Sequence, residues 1–310
     1  MENNQRIGYC CLCLSLEPKG ITTNRGMIKK TFLEKGVNYV SDLVIQNLKD
    51  LISIIRFNGE KGIRMYRMSS DMFPWCSEYE IKELPRFEQE MLPLLIEAGR
   101  IAKELDQRLS FHPSPYCVIA SERQDVVEKS IKELRQHAEI MDLMNLERSH
   151  YYPINIHINT TKPTKEAAAE RFISVYQNLE DSIKSRLVIE NDDKKSQFTP
   201  TDLYEMVHRK IGIPITYDFL HHKCNPDLLT QEQGLDLCIS TWPEGITALT
   251  HFSDSRKIYE DSSAKEVAHS DWIWSEIETY GKIFDIELEV KQKDLALIKY
   301  LDTWKTKNLI

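Results

Sequence analysis

Six residues of the kinds that hold metal ions stand at or near the ends of short apolar runs in this 310-residue chain. His112 closes the run 109–111, His157 follows 154–156, and Glu190 follows 187–189. Asp218 closes 213–217, His251 follows 246–250, and Glu289 lies within 284–290. Imidazole and carboxylate donors in one set suit Mn, Zn or Fe. Asp218 also begins a D-x-x-H-H-K stretch, so His221 leaves the same strand end toward the same place. His269, opening the segment after the seventh run, can lean into the same mouth. A set of this size offers donors for two or three divalent ions, which would activate water and neutralise charge on a reacting ester.

Such residues act together only if the chain brings equivalent run ends to one rim. Strand-like runs at 7–14, 62–68, 108–111, 152–158, 186–189, 213–219, 246–252 and 284–290 alternate with helical patterns. The helical segments are 39–57, 84–106, 122–146, 164–179, 199–209, 227–239, 271–282 and 293–304. In the first, Leu43, Val44, Leu48, Leu51, Ile52 and Ile55 recur at the helical period. Ser121 and Thr164 are N-cap candidates, and Pro93 marks a kink candidate. Strand and helix in eightfold alternation predict an α/β chain folded as a (β/α)8 TIM barrel, with all strand ends facing one way. An open dinucleotide-binding sheet would show a Gly-rich turn after its first strand, and 15–20 has none. No linker or low-complexity tract divides 1–310, so a single barrel domain is expected.

Composition bounds the partners. With 41% hydrophobic residues the chain can fill one large core, and its formal net charge of -8 argues against coating nucleic acid by bulk charge. Basic residues nevertheless follow the strand ends: Arg25, Lys194, Lys195, Lys223, Arg256, Lys257, Lys291 and Lys293 would ring the same mouth and suit a phosphate backbone. The seven Cys are odd in number and irregularly spaced, and Cys10, Cys11 and Cys13 read as packing in an apolar strand. No apolar run approaches the ~18 residues of a membrane span. Residues 1–6 lack a signal-peptide core. A soluble intracellular monomer without a membrane partner is expected, in cytoplasm or nucleoid, or in the nucleus of a eukaryote.

Several stretches together resemble the UV damage endonucleases, relatives of endonuclease IV and of the xylose-isomerase-like barrels. They are R-I-G-Y at 6–9, T-T-N-R at 22–25, Y-R-M-S-S-D-M-F-P at 66–74 and L-V-I-E-N-D at 187–192. Y-D-F-L-H-H at 217–222, A-H-S-D-W-I at 268–273 and E-V-K-Q-K-D at 289–294 complete the pattern across nearly the whole chain. The resemblance implies metal ligation by His112, His157, Glu190, Asp218, His221, His251, His269 and Glu289, with Glu78 standing where the family has a further His. It implies two or three divalent ions, Mn first, with Mg, Zn or Co as alternatives. Glu190, Glu289 and His251 would carry catalysis.

Tyr9 and Tyr116 would meet the damaged duplex, and Arg25, Lys223, Lys291 and Lys293 the backbone. The implied reaction is ATP-independent repair of UV-damaged double-stranded DNA. The damaged strand is nicked immediately 5′ to cyclobutane pyrimidine dimers and 6-4 photoproducts, leaving 3′-hydroxyl and 5′-phosphate ends. Three further departures from the family surround the mouth: Cys13 replaces Asn, Pro115 replaces Gln, and Leu249 replaces a Lys that is modified in some members. Two alternatives stay open on the residues: a sugar isomerase or epimerase on the same barrel, and a lesion-binding protein that has lost catalysis.

Overall fold

The computed structural model describes residues 5–307, and side chains through 303. Eight strands lie in one parallel sheet: β1 (Ile7–Cys10), β2 (Met65–Arg67), β3 (Arg108–Ser110), β4 (Ile154–Ile156), β5 (Leu187–Glu190), β6 (Ile215–Asp218), β7 (Leu249–Phe252) and β8 (Asp285–Leu288). Their order is β3-β2-β1-β8-β7-β6-β5-β4. The remaining gap, β3 to β4, is spanned by a parallel bridge between Phe111 and Ile154, with Asn155 N–H donating to Phe111 O at 2.9 Å. The sheet thus closes into the expected (β/α)8 barrel.

Side-chain alternation along each strand decides which residues meet. On β8, Ile286 and Leu288 belong to the apolar core, whereas Asp285, Glu287 and the following Glu289 point into the lumen. Contacts across the lumen establish this, because β3 and β8 are not neighbours. Arg108 Nη1 reaches Asp285 Oδ2 at 2.9 Å, and Ser110 Oγ donates to Glu287 Oε1. Inward residues therefore stack in layers, Arg108 with Asp285 and then Ser110 with Glu287, while His112 and Glu289 both line the mouth above them.

Four helices give the outer layer its pattern: α1 (Lys29–Glu60), α2 (Leu92–Glu104), α3 (Gln124–Leu143) and α4 (Lys165–Gln177). In α1, where Leu43 is only half-buried, the buried face includes Val44, Leu48, Leu51, Ile52 and Ile55 of the periodicity read from the sequence, with Val40 buried as well. Each such side chain contributes roughly 1.5–3 kcal/mol of burial. The helix starts earlier than expected and turns at Gly36, whose φ of 61° is open to glycine. Pro93 falls in the first turn of α2, directly after the π-helical turn Phe87–Met91. Thr164 caps α4 by accepting from Ala167 N–H, but Ser121 is not a helix cap, since Arg123 holds that position at α3. The segment 271–282 is irregular rather than helical. Glu260 takes the N–H groups of Asp271 and Trp272, and Asp254 takes those of Trp274 and Ser275, so side chains have claimed the donors a helix would need.

Candidate metal centre

Glu190 ends β5 with no exposure to solvent, and four histidines converge on its carboxylate. His112 Nε2 lies 3.2 Å from Oε2, His251 Nδ1 3.1 Å and His157 Nε2 3.6 Å, while His221 Nδ1 stands 3.2 Å from Oε1. These histidines come from the ends of β3, β7, β4 and β6, so distant segments meet because their strands end on one rim. Asp218, ending β6, accepts the His221 N–H at 2.6 Å and thereby caps the short helix Phe219–Cys224 that carries His221. Glu289 Oε1 lies 3.3 Å from His251 Nδ1 and accepts from Arg67 Nη1 at 2.5 Å. His269 Nε2 is 3.8 Å from Glu289 Oε2, and its Nδ1 faces Ser253 Oγ at 2.7 Å.

The donor set fits divalent ions. Donor atoms of His112, His157 and Glu190 lie within 4.8 Å of one another, as do those of Glu190, Asp218 and His251. Buried atoms in both groups also lack a hydrogen-bond partner: Glu190 Oε1, Asp218 Oδ2, His157 Nδ1 and His251 Nδ1. Unmet lone pairs at this depth are costly unless a cation collects them.

Electrostatics points the same way. Burial opposes charge on Glu190, yet His251 and His157 beside it hold its carboxyl well below the carboxylate range. Burial likewise opposes charge on Glu289, but Arg67 and His251 lower it. Burial lowers His157 to about 4, keeping its ring neutral and ready to ligate. For His251 burial is overcome by Glu190 and Glu289, which raise it to about 10. Asp192, facing His157 Nδ1 at 3.5 Å, is pushed up to about 7 by burial.

Above these residues opens a cavity of about 640 Å³, lined by His112, His157, His221, His269, Glu289, Arg67 and Lys293. It shares Ser70, Asp71, Ser114 and Pro115 with a neighbouring apolar cleft of about 510 Å³ that includes Phe73, Trp75 and Tyr116. Tyr116 stands on the loop after β3 with 84% of its surface exposed. Lys223 and Lys291 are exposed after β6 and β8.

Three expected site residues lie elsewhere. Tyr9 is buried on the outer face of β1, registered with Tyr66 and Leu288, and its OH donates to Asn58 Oδ1 of α1 at 2.8 Å. One step along a strand reverses the face, which is why Tyr9 meets the helices and not the mouth. Glu78 is exposed in the turn Cys76–Glu78, and the polar contact it makes is with Ser77, so no carboxylate from it joins the cluster. Arg25 is tied to Asp50 at 2.7 Å and to the carbonyls of Gly20 and Thr22, which leaves it a structural clasp.

Conversely, the sequence reading passed over Asn155, which donates to Glu190 Oε2, and over Arg67 and Glu287. The signal for Glu287 was present: it precedes Glu289 by two residues on one strand and so shares its face. Leu249, two residues before His251, is buried in the interior and brings no polar atom there.

Comparison with known proteins places the chain in a family. A profile of the UV-endonuclease UvdE family matches residues 5–309. The UV-damage endonuclease of Schizosaccharomyces pombe is 32% identical over 98% of this chain, which spans about half (51%) of that relative's length. The UV DNA damage endonuclease of Clostridium perfringens is 32% identical over 98% of this chain and 71% of its own. Among solved structures, SacUVDE superposes with a TM-score of 0.84 at 28% identity, covering 99% of this chain and 100% of that one. Endonuclease IV from Thermus thermophilus gives a TM-score of 0.59 at 13% identity, over 97% of this chain and 99% of its own, a likeness of fold. With the match running through every strand that supplies the centre, the chain belongs to the UV-endonuclease UvdE family.

Proposed function

We propose that this chain is a divalent-metal-dependent endonuclease that nicks UV-damaged double-stranded DNA immediately 5′ to cyclobutane dimers and 6-4 photoproducts, leaving 3′-hydroxyl and 5′-phosphate ends. The observation that carries this is the buried Glu190 carboxylate with nitrogens of four histidines at 3.1–3.6 Å. His112, His157 and Glu190 would hold one ion, and Glu190, Asp218 and His251 a second, with His221, His269 and Glu289 completing the set. Ions held there, Mn foremost, would supply an activated water and a counter-charge for the reacting phosphate.

The chain's own residues do the rest. Glu190 draws two donor groups together, and Arg67 holds Glu289 in place through its 2.5 Å contact. Lys293 lines the cavity, and Lys223 and Lys291 stand exposed shortly after β6 and β8; these lysines would contact phosphate oxygens. Tyr116, projecting from the rim, would fill the space that damaged bases vacate, since lesions are cheaper to unstack than intact pairs.

The test is nicking of UV-irradiated supercoiled plasmid with Mn, beside unirradiated and chelator controls. Relaxed circles only with both damage and metal are expected. Equal nicking of irradiated and intact plasmid, or nicking that survives chelation, would overturn the reading.

A further inference from the structure

Glu287 has no part in the ligand set described above, yet it is fully buried in the lumen one layer beneath it. Its carboxylate reaches three strands. Ser110 Oγ on β3 donates to Oε1, His251 Nε2 on β7 lies 3.2 Å from Oε2, and Arg67 Nη1 on β2 lies 3.7 Å from the same oxygen. Strand register fixes the meeting, because His251 and Glu287 are direct partners in the β7–β8 ladder. An uncompensated carboxylate at such depth would be expensive, so its retention calls for partners that need it.

His251 is that partner. Its Nδ1 faces Glu190 and Glu289 at 3.1 and 3.3 Å, on the side of the ions, and its Nε2 faces Glu287 on the opposite side. An imidazole can present a lone pair at one nitrogen while the other keeps its proton, and the acceptor at the far nitrogen decides which is which. We propose that Glu287 is a positioning residue of the metal centre, accepting the Nε2 proton of His251 so that the Nδ1 lone pair is aimed at the ion held with Glu190 and Asp218. Ser110 aims the carboxylate, and Arg67, placed between Glu287 and Glu289, fixes the spacing of the two glutamates. Glu287 touches neither substrate nor ion; it acts through His251.

This inference rests on the reading that the chain holds divalent ions, and the experiment separates the two. Mn binding is measured by equilibrium dialysis on the wild type, Glu287→Gln and Glu287→Met, together with the thermal midpoint of each metal-free protein. Gln keeps the shape and an oxygen acceptor, whereas Met keeps bulk alone. Mn affinity is expected to fall about 10–100-fold in Glu287→Met and by less in Glu287→Gln. A carboxylate that merely balanced Arg67 would instead change the thermal midpoint and leave the Mn affinity of the folded protein unmoved. Wild-type affinity in both variants overturns the inference while the metal reading stands; absence of Mn binding by the wild type overturns the metal reading itself. Should Glu287→Met not fold, the Gln variant with Ser110→Ala still decides. Reduced Mn affinity in both supports the role, and unchanged affinity in both removes it.

Discussion

The floor and the mouth of the barrel both bury charge, but they settle it differently. At the floor, Arg108 and Asp285 are fully buried and paired at 2.9 Å. The guanidinium also donates to the carbonyls of His150, Tyr151 and Thr247 and lies between the Tyr151 and Trp242 rings. At the mouth, Glu190, Asp218 and His251 are equally buried, yet ring nitrogens and carboxylate oxygens face one another with bonds unmade. The contrast teaches that burial of charge is no mark of function by itself. Burial with unmet donors that share a focus is, since a cation bound at that focus offsets the penalty.

That contrast can be broken first at the mouth. Glu190→Gln should lower nicking of irradiated plasmid by more than about 10³-fold while the far-ultraviolet dichroism stays that of the wild type. Full activity in that variant would remove Glu190 from the mechanism. At the floor the reverse is expected. Arg108→Met should cost about 3–5 kcal/mol in denaturant unfolding by leaving the buried Asp285 with Arg6 alone, its N–H at 2.8 Å and its guanidinium at 3.7 Å. The double variant Arg108→Met with Asp285→Leu should recover most of that loss, and what remains folded should still bind Mn. Loss of Mn binding with stability intact would show that the floor is part of the centre.

A pH series sharpens the comparison. His251 is raised to about 10, so the metal-free fold gains from its protonated form at low pH and loses that gain as pH climbs through the folded value. Ion binding needs the same ring deprotonated at Nδ1. Apparent Mn affinity should therefore weaken as pH falls below about 10, by about tenfold per unit for each proton displaced. Affinity flat between pH 6 and about 8 would contradict the assignment of His251 as a ligand. The smallest effect is expected at the rim. Tyr116→Ala should leave folding and Mn binding unchanged and reduce the preference for irradiated over intact plasmid several-fold. An unaltered preference would return Tyr116 to the status of an exposed loop residue.

Much of this was legible in the chain because a parallel barrel converts sequence order into position. Strand, crossover and strand recur, so a His or carboxylate at each strand end must reach the common rim, and His112, His157, Glu190, Asp218, His251 and Glu289 all do. Strand lengths were overestimated: the flanks 11–14 and 246–248 fall outside β1 and β7, and of their residues only Cys13 and Ala248 are buried. Face was harder to read than place. Tyr9 lies one residue out of phase with the lumen, and Glu287 lies in phase but was hidden among apolar neighbours. The segment 271–282 failed as a helix because Glu260 and Asp254, distant acceptors invisible to local periodicity, took its N–H groups. Glu78 shows the limit of motif alignment, because a residue at a matched position need not point where its counterpart does.

The central claim, that Glu190 joins two donor groups into a site for divalent ions, is tested most directly by counting Mn on the purified chain at equilibrium. Metal analysis after dialysis should return about two ions per wild-type chain, in line with the two donor groups, and a lower count for Glu190→Gln. A wild-type chain that is folded and yet retains no Mn, at concentrations where the irradiated plasmid is nicked, would contradict it.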